Sequence, residues 1–112
     1  MPTIFEPKDL AVTHQDGFSL TVLANAKMLG TDALAVDRIT LDANVSTSTY
    51  EVLNVERFLY VIRGAGEAQV GGQAFPLETE SILWIEAEDT YSLQSGADGL
   101  EVLLCRAPAT VA

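Results

Sequence analysis

The chain has 112 residues, 48% of them hydrophobic, which suits a globular domain with one packed core and argues against disorder. Its formal net charge is −10, and this acidity argues against partners whose surfaces are rich in phosphate, namely nucleic acids and anionic membranes. We therefore expect a single domain over residues 1–112, with neither nucleic-acid nor membrane partners.

The sequence carries no signal for export. Its N-terminus lacks the basic segment followed by an apolar segment that a signal peptide shows. The longest apolar run, Phe58–Ile62, is far shorter than the roughly 20 residues of a membrane-spanning helix. Cys105 is the single cysteine, which excludes an intramolecular disulfide and a CxxC zinc site. These features predict a cytoplasmic protein in which Cys105 is a buried structural thiol.

Short apolar stretches with a period near two alternate with turn residues along the chain, which predicts strands. Pro7–His14 fits either an edge strand or a turn of helix, and Asn25–Thr31 has the composition of a loop. The predicted strands are Phe18–Ala24, Ala33–Leu41, Ser48–Val52, Arg57–Arg63, Glu67–Val70, Gln73–Leu77, Ser81–Ile85, Tyr91–Gln94 and Leu100–Arg106. Many short strands at close spacing predict an all-β sandwich or barrel.

Glycine-containing segments mark the predicted turns between these strands. They are Asp16-Gly17, Gly64-Ala65-Gly66, Gly71-Gly72 and Ser95–Gly99. Glycine adopts the positive φ angles of tight turns without a steric penalty. Gly71-Gly72 in particular predicts a two-residue β-hairpin.

Residues 34–108 resemble the cupin superfamily. The segment Glu56–Gln73 resembles its first motif, in which an acidic residue opens a strand that ends at glycine, followed by a second strand and a hairpin. Leu77–Glu86 resembles its second motif, and Leu100–Arg106 with the following Pro108 also fits. The resemblance implies an all-β fold of the cupin type, a jelly-roll-like antiparallel β-barrel or double-stranded β-helix. It also implies a homodimer.

A typical cupin holds a divalent metal through three histidines and one glutamate. With the first motif anchored on Gly64, the glutamate position falls on Arg57. The two histidine positions fall, for the two possible gap lengths, on Glu51 and Leu53 or on Tyr50 and Val52. The longer gap places Asn44 at the first glycine of the motif, which suits the tolerance of asparagine for the left-handed region.

The second motif departs from the family pattern in the same way. Glu80, Glu86 and Glu88 replace a glycine, a proline and a second glycine, and Tyr91 replaces the third histidine. The single histidine of the chain, His14, precedes both motifs, so a site with three histidines cannot be built. Imidazole is the usual ligand for transition metals in mixed nitrogen and oxygen sites. We therefore expect no metal site and no cofactor.

The positions of the lost ligands predict a different pocket. If Arg57 points into the barrel, its guanidinium can hold a carboxylate or phosphate of a ligand; the alternative is an internal salt bridge, for example to Glu51. Tyr91, Tyr50 and Trp84 would line the pocket, and the alternative for these residues is ordinary packing. The predicted ligand pocket consists of Arg57, Tyr91, Tyr50, Glu51 and Trp84.

Three functions fit this sequence. The first is a cupin-like barrel that has lost its metal and binds a small, anionic molecule near Arg57. The second is a metal-independent enzyme of the isomerase or epimerase kind, with Tyr91 and Glu51 as acid and base groups. The third is a structural or regulatory dimeric module without a ligand. Its interior would be filled by Leu53, Leu59, Val61 and Leu83.

Overall fold

The computed structural model describes residues 4, 6, 8, 10–15, 17–31, 34–47 and 56–107. Within these ranges the elements are β1 (Ala11–Gln15), β2 (Phe18–Ala24), α1 (Ala26–Leu29), β3 (Ala35–Leu41), β4 (Glu56–Val70), β5 (Gln73–Leu77), β6 (Ile82–Ile85) and β7 (Tyr91–Ala107). The predicted strand Ser48–Val52 lies outside the described residues. None of the helices in the described ranges has the length and apolar character needed to cross a bilayer.

All of the described strand pairs are antiparallel, and together they form one seven-stranded sheet. The order across the sheet is β1-β2-β3-β7-β4-β5, with β6 paired to β4 as well. Among the described residues no ladder joins β1 to β5 or β6, so the sheet is not closed by hydrogen bonds into a barrel. The predicted all-β, antiparallel class is confirmed.

Two of the predicted glycine turns, 64–66 and 95–99, are wrong as strand ends. Both segments lie inside single long strands, β4 and β7. The ladder between these two strands shifts register between Gly64 and Gly66. An interruption of this kind bends a strand and increases its twist. The glycines therefore bend a continuous ribbon instead of ending its strands.

Glycine is required at this bend because backbone atoms of the two strands crowd together there. A Cβ atom on Gly64 would collide with the carbonyl of Gly99, and one on Gly66 would collide with the carbonyl of Gln94. Gly64 also has a φ of 88° and Gly99 a φ of 79°, a region that side chains disfavour. Close approach and backbone conformation therefore both select glycine.

Burial alternates along the strands and defines two faces of the sheet. In β3 every second residue is buried, from Ala35 to Leu41, and the first half of β4 follows the same alternation. The inner face carries the core, which includes Ile39, Leu41, Leu59, Val61, Leu93, Val102 and Leu104. The outer face carries Phe58, Tyr60, Ile62 and Trp84.

Three short segments between or before the strands can be compared with their predicted local structure. Gly71 and Gly72 have φ angles of 57° and 83° and join β4 to β5, which confirms the predicted hairpin. The predicted loop at Asn25–Thr31 instead contains α1, because the Asn25 Oδ1 atom accepts a hydrogen bond of 2.9 Å from the Met28 amide and caps the turn. In the segment Pro7–His14, for which an edge strand or a turn of helix is predicted, the residues from Ala11 onward form edge strand β1, and Lys8 lies in a helical turn.

Two residues adopt positive φ angles at the positions where the cupin motifs have glycine. Asn44 has a φ of 56° and Glu80 a φ of 72°. For asparagine this conformation is mild, whereas a glutamate there stores strain. The backbone geometry of these two motif positions is thus retained although the glycines are not.

Candidate functional site

Arg57 lies on the inner face of β4, where the alternation with Leu59 and Val61 directs its side chain into the core. It is only 1% exposed, which makes it the largest fully buried side chain among the described residues. A guanidinium is always protonated in proteins, so this position places a permanent positive charge in the interior.

One nitrogen of that guanidinium is fixed by the backbone. Arg57 Nη2 donates hydrogen bonds of 3.1 Å to the carbonyl of Glu86 and 2.7 Å to the carbonyl of Asp89. These carbonyls belong to the turn between β6 and β7. The Arg57 Nε and Nη1 atoms are buried and have no hydrogen-bond partner in the part of the chain that the structure describes. None of the ion pairs in the described ranges includes Arg57.

Tyr91 lies against Arg57. It begins β7 on the inner face, is 2% exposed, and pairs with Val70 at the far end of β4. The Arg57 Cζ atom is 5.5 Å from the centre of the Tyr91 ring, within the range of a cation–π interaction. The two residues meet because the bend in β4 and β7 folds both ends of this ribbon over the same core.

Arg106 was not predicted as a site residue, but it stands directly opposite Arg57 in the β4–β7 ladder. Its Nη2 atom is 3.8 Å from a carboxylate oxygen of Asp37, and its buried Nε atom has no hydrogen-bond partner within the described ranges. Burial raises the pKa of Asp37 from its ordinary 3.8, and the charge of Arg106 opposes this shift less strongly.

These groups form one cluster, which we call the arginine site. Its members are Arg57, Tyr91, Arg106, Asp37 and the backbone carbonyls of Glu86 and Asp89. In the part of the chain that the structure describes, every buried side-chain nitrogen or oxygen that lacks a hydrogen-bond partner belongs to Arg57 or Arg106. Native proteins leave few such atoms, so their concentration here makes this cluster the candidate functional site.

A surface groove borders the turn that holds Arg57. It has a volume of about 470 Å³. Its lining residues are Val70, Gly71, Gln73, Phe75, Leu83, Trp84, Glu86 and Asp89. The lining thus includes both residues whose carbonyls accept the Arg57 hydrogen bonds.

The other predicted pocket residues do not join the arginine site in the described structure. Trp84 lies on the outer face, 56% exposed, and stacks on Phe58 with ring centres 6.2 Å apart and an interplanar angle of 4°. It contributes to the groove but not to the contacts of Arg57. Tyr50 and Glu51 lie outside the described residues.

Cys105 differs from its prediction. It is only partly buried, and its side chain alternates with the buried Leu104 and so lies toward the outer face of β7. Burial raises the pKa of its thiol, and the charge of Asp37 raises it further. The thiol therefore holds its proton, which disfavours a nucleophilic role.

The residues of this chain do not fit the metal centre that the cupin resemblance implies. The buried guanidinium of Arg57 would repel a cation. Two unit positive charges 4 Å apart repel each other by about 4 kcal/mol at an effective dielectric of 20. His14, the single histidine of the sequence, is exposed on edge strand β1. Within the described ranges no three histidine, cysteine, aspartate or glutamate side chains converge on one point.

No protein-family model matches the sequence, and no curated protein matches it. Solved structures match its fold over nearly the whole chain. KdgF from Halomonas sp. superposes with a TM-score of 0.80 at 14% identity, covering 96% of each chain. An RmlC-like cupin from Shewanella frigidimarina gives 0.78 at 14% identity, over 97% of this chain and 93% of that one.

A third match is the Cnp3 cupin domain of Schizosaccharomyces pombe, with a TM-score of 0.76 at 11% identity, over 93% of this chain and 72% of that one. At such low identities the likeness concerns the path of the backbone and not the chemistry of the site. It agrees with the resemblance in the two sequence motifs and with the retained positive φ angles at their glycine positions. The chain therefore has the cupin fold.

Proposed function

We propose that this cupin-fold domain binds a small anionic molecule at the arginine site, and that Arg57 is the residue that anchors it. The observation that carries the proposal is the buried guanidinium whose Nε and Nη1 donors have no hydrogen-bond partner among the described residues. An anion would supply the acceptors and the opposite charge in one step.

The energetics favour a ligand over an idle arginine. A buried charge without a partner is strongly unfavourable, and an unsatisfied buried donor costs roughly 1–3 kcal/mol, more for a charged group. A carboxylate or phosphate oxygen forms short, charge-assisted hydrogen bonds with a guanidinium. Binding an anion therefore recovers free energy that the protein alone does not.

The site is also organised before a ligand arrives. The two carbonyl contacts of Nη2 fix the guanidinium, and the Tyr91 ring packs against it. A fixed side chain loses little conformational entropy when it binds, which raises affinity. The groove lined by Glu86 and Asp89 is open to solvent, and it lies close to the two carbonyls that bind Arg57.

The proposal is tested by calorimetric titration of four anions, acetate, propionate, phosphate and sulfate, into the wild-type protein and two variants. Arg57→Met replaces the guanidinium by an apolar chain of similar length. Arg63→Met is the matched control, because Arg63 lies on the same strand with its side chain 66% exposed. Circular dichroism checks that both variants are folded.

We expect at least one of these anions to bind the wild-type protein. Its affinity should fall about tenfold or more in Arg57→Met, the effect of losing roughly 1.4 kcal/mol of binding free energy, and should be unchanged in Arg63→Met. Equal affinities for wild type and Arg57→Met would overturn the anchor role. Failure of all four anions to bind the wild-type protein would overturn the function itself.

The homodimer implied by the sequence resemblance is a second part of the proposal. It is supported by edge strand β6, whose outward residues Ile82 and Trp84 are 67% and 56% exposed. Adjacent large apolar side chains on a surface are typical of protein interfaces. Sedimentation equilibrium of wild type and Trp84→Ser tests it: the dimer should weaken in the variant, and a wild-type monomer at all concentrations would contradict it.

A further inference from the structure

We propose that Arg106 is a second binding residue of the arginine site, and that the group it binds together with Arg57 is a single carboxylate. This inference rests on the proposed anion-binding function and adds to it the class of ligand. The anion would lie between two guanidiniums, each of which contributes donors that the protein leaves unused.

The geometry of the ladder brings the two arginines together. They occupy directly opposed positions on β4 and β7, both on the inner face. Side chains in that relation have Cβ atoms about 4.5–5.5 Å apart, and like charges placed there destabilise a sheet. The structure therefore places two arginines at neighbouring positions of adjacent strands, and the buried Nε atom of each lacks a hydrogen-bond partner among the described residues.

The carboxylate of Asp37 compensates the positive charges of Arg57 and Arg106 only in part. Its carboxylate is 3.8 Å from Arg106 Nη2, which is longer than a direct hydrogen bond. Asp37 therefore neutralises charge without occupying the donors of Arg106. When Asp37 is ionised, the two guanidiniums and this carboxylate leave the described cluster with a single net positive charge.

That remaining charge selects the ligand class. A monocarboxylate would bring the cluster to neutrality, and its two oxygens could accept hydrogen bonds from a different arginine each. A dianion would make the cluster negative inside a protein whose formal net charge is already −10. The charge balance at Asp37 and the charge of the whole protein therefore both favour one negative charge over two.

Propionate and malonate test this inference, because they differ little in size but carry one and two charges at neutral pH. The titrations use wild type, Arg106→Gln, Asp37→Asn and the control Arg38→Gln. Arg38 is a suitable control because it lies on the outer face of β3 in an ion pair of 3.9 Å with Glu101. Circular dichroism checks the fold of each variant.

Wild type should bind propionate more tightly than malonate. Arg106→Gln should weaken propionate about tenfold, equivalent to roughly 1.4 kcal/mol, and Arg38→Gln should leave it unchanged. Asp37→Asn adds one net positive charge, so malonate should gain about tenfold relative to propionate. If Arg106→Gln does not fold, the selectivity change in Asp37→Asn decides the question.

The outcomes separate this inference from the proposed function. Propionate binding that is lost in Arg57→Met but kept in Arg106→Gln would overturn the role of Arg106 and leave the anchor role of Arg57 in place. A wild-type preference for malonate, or an unchanged preference in Asp37→Asn, would overturn the monocarboxylate class. Failure of the wild type to bind any anion would overturn the function and this inference together.

Discussion

Arg57 and Tyr91 are placed at opposite ends of the long β4–β7 ribbon, yet the guanidinium carbon of Arg57 is 5.5 Å from the centre of the Tyr91 ring. The contact exists because the ribbon bends at its glycines and folds over the core. The glycine segments 64–66 and 95–99 thus bring the two residues together, although neither segment ends a strand.

The bend can be tested with Gly64→Ala. A Cβ atom there would collide with the Gly99 carbonyl, whereas a Cβ atom on Gly72, at a similar φ of 83°, meets nothing within 4 Å. Because both substitutions strain the backbone equally, their difference isolates the collision. We expect Gly64→Ala to lower the free energy of unfolding by about 1–3 kcal/mol more than Gly72→Ala. Equal effects in urea denaturation would show that the two strands do not approach so closely.

The Tyr91 ring should stabilise the buried charge. Tyr91→Phe and Tyr91→Leu both remove the hydroxyl, but only the leucine variant removes the ring. A desolvated cation–π interaction is worth about 2 kcal/mol, so Tyr91→Leu should have a free energy of unfolding lower by roughly 1–2 kcal/mol than Tyr91→Phe. Chemical denaturation of the two variants measures this difference. A leucine variant as stable as the phenylalanine variant would argue against the interaction.

Glu80 should be a site where glycine stabilises the fold. Its φ of 72° disfavours any residue with a Cβ atom by about 1–2 kcal/mol, and this exceeds the entropic cost of glycine, about 0.5–1 kcal/mol. Glu80→Gly should therefore raise the free energy of unfolding by up to about 1 kcal/mol. The control is Glu78→Gly in the same exposed turn, which should lower it. A Glu80→Gly variant that is destabilised like the control would contradict the strained conformation.

Asp37 should make stability depend on pH with a definite sign. Burial raises its pKa above 3.8, so the native state holds the proton more tightly than the unfolded state. The contribution of Asp37 to the free energy of unfolding is therefore fully present below pH 3.8. It is lost as the pH rises through the raised pKa. Asp37→Asn removes this titration.

The stability difference between Asp37→Asn and wild type should accordingly increase with pH across that window. Urea denaturation at a series of acidic to neutral pH values measures it, with Asp98→Asn, a substitution of an exposed aspartate, as the control. A stability difference that stays constant with pH, or that falls, would show that the effect of burial on the pKa of Asp37 does not exceed the opposing effect of Arg106.

The fold was predictable from the sequence where local pattern decides it. The period of two at Phe18–Ala24 matches β2, and Gly71-Gly72 forms the hairpin that its residues predict. The segment Ser95–Gly99 was not predictable in this way, because glycine serves a turn and a bulge equally well. Only the partner strand decides between them, and pairing is not a local property of the sequence.

For the candidate site, too, the sequence predicts what a local motif decides and not what depends on strand pairing. The sequence predicts Arg57 and Tyr91 as site residues because each replaces a ligand in a motif of fixed spacing. Arg106 was missed because its position opposite Arg57 depends on the register of two strands with a bulge between them. The concentration of aromatic residues around the two motifs predicts Trp84 in the pocket, whereas the alternation of β6 directs its side chain to the outer face.

Anion binding by the buried Arg57 guanidinium can be followed at the atom concerned, through the Nε–H signal of that side chain in ¹⁵N-resolved NMR. The signal is assigned by its disappearance in Arg57→Met and followed during titration with propionate. We expect a saturable shift of the Arg57 signal while the signal of the exposed Arg63 stays in place. An Arg57 signal that does not move when the protein is saturated with each anion tested would contradict anion binding by Arg57.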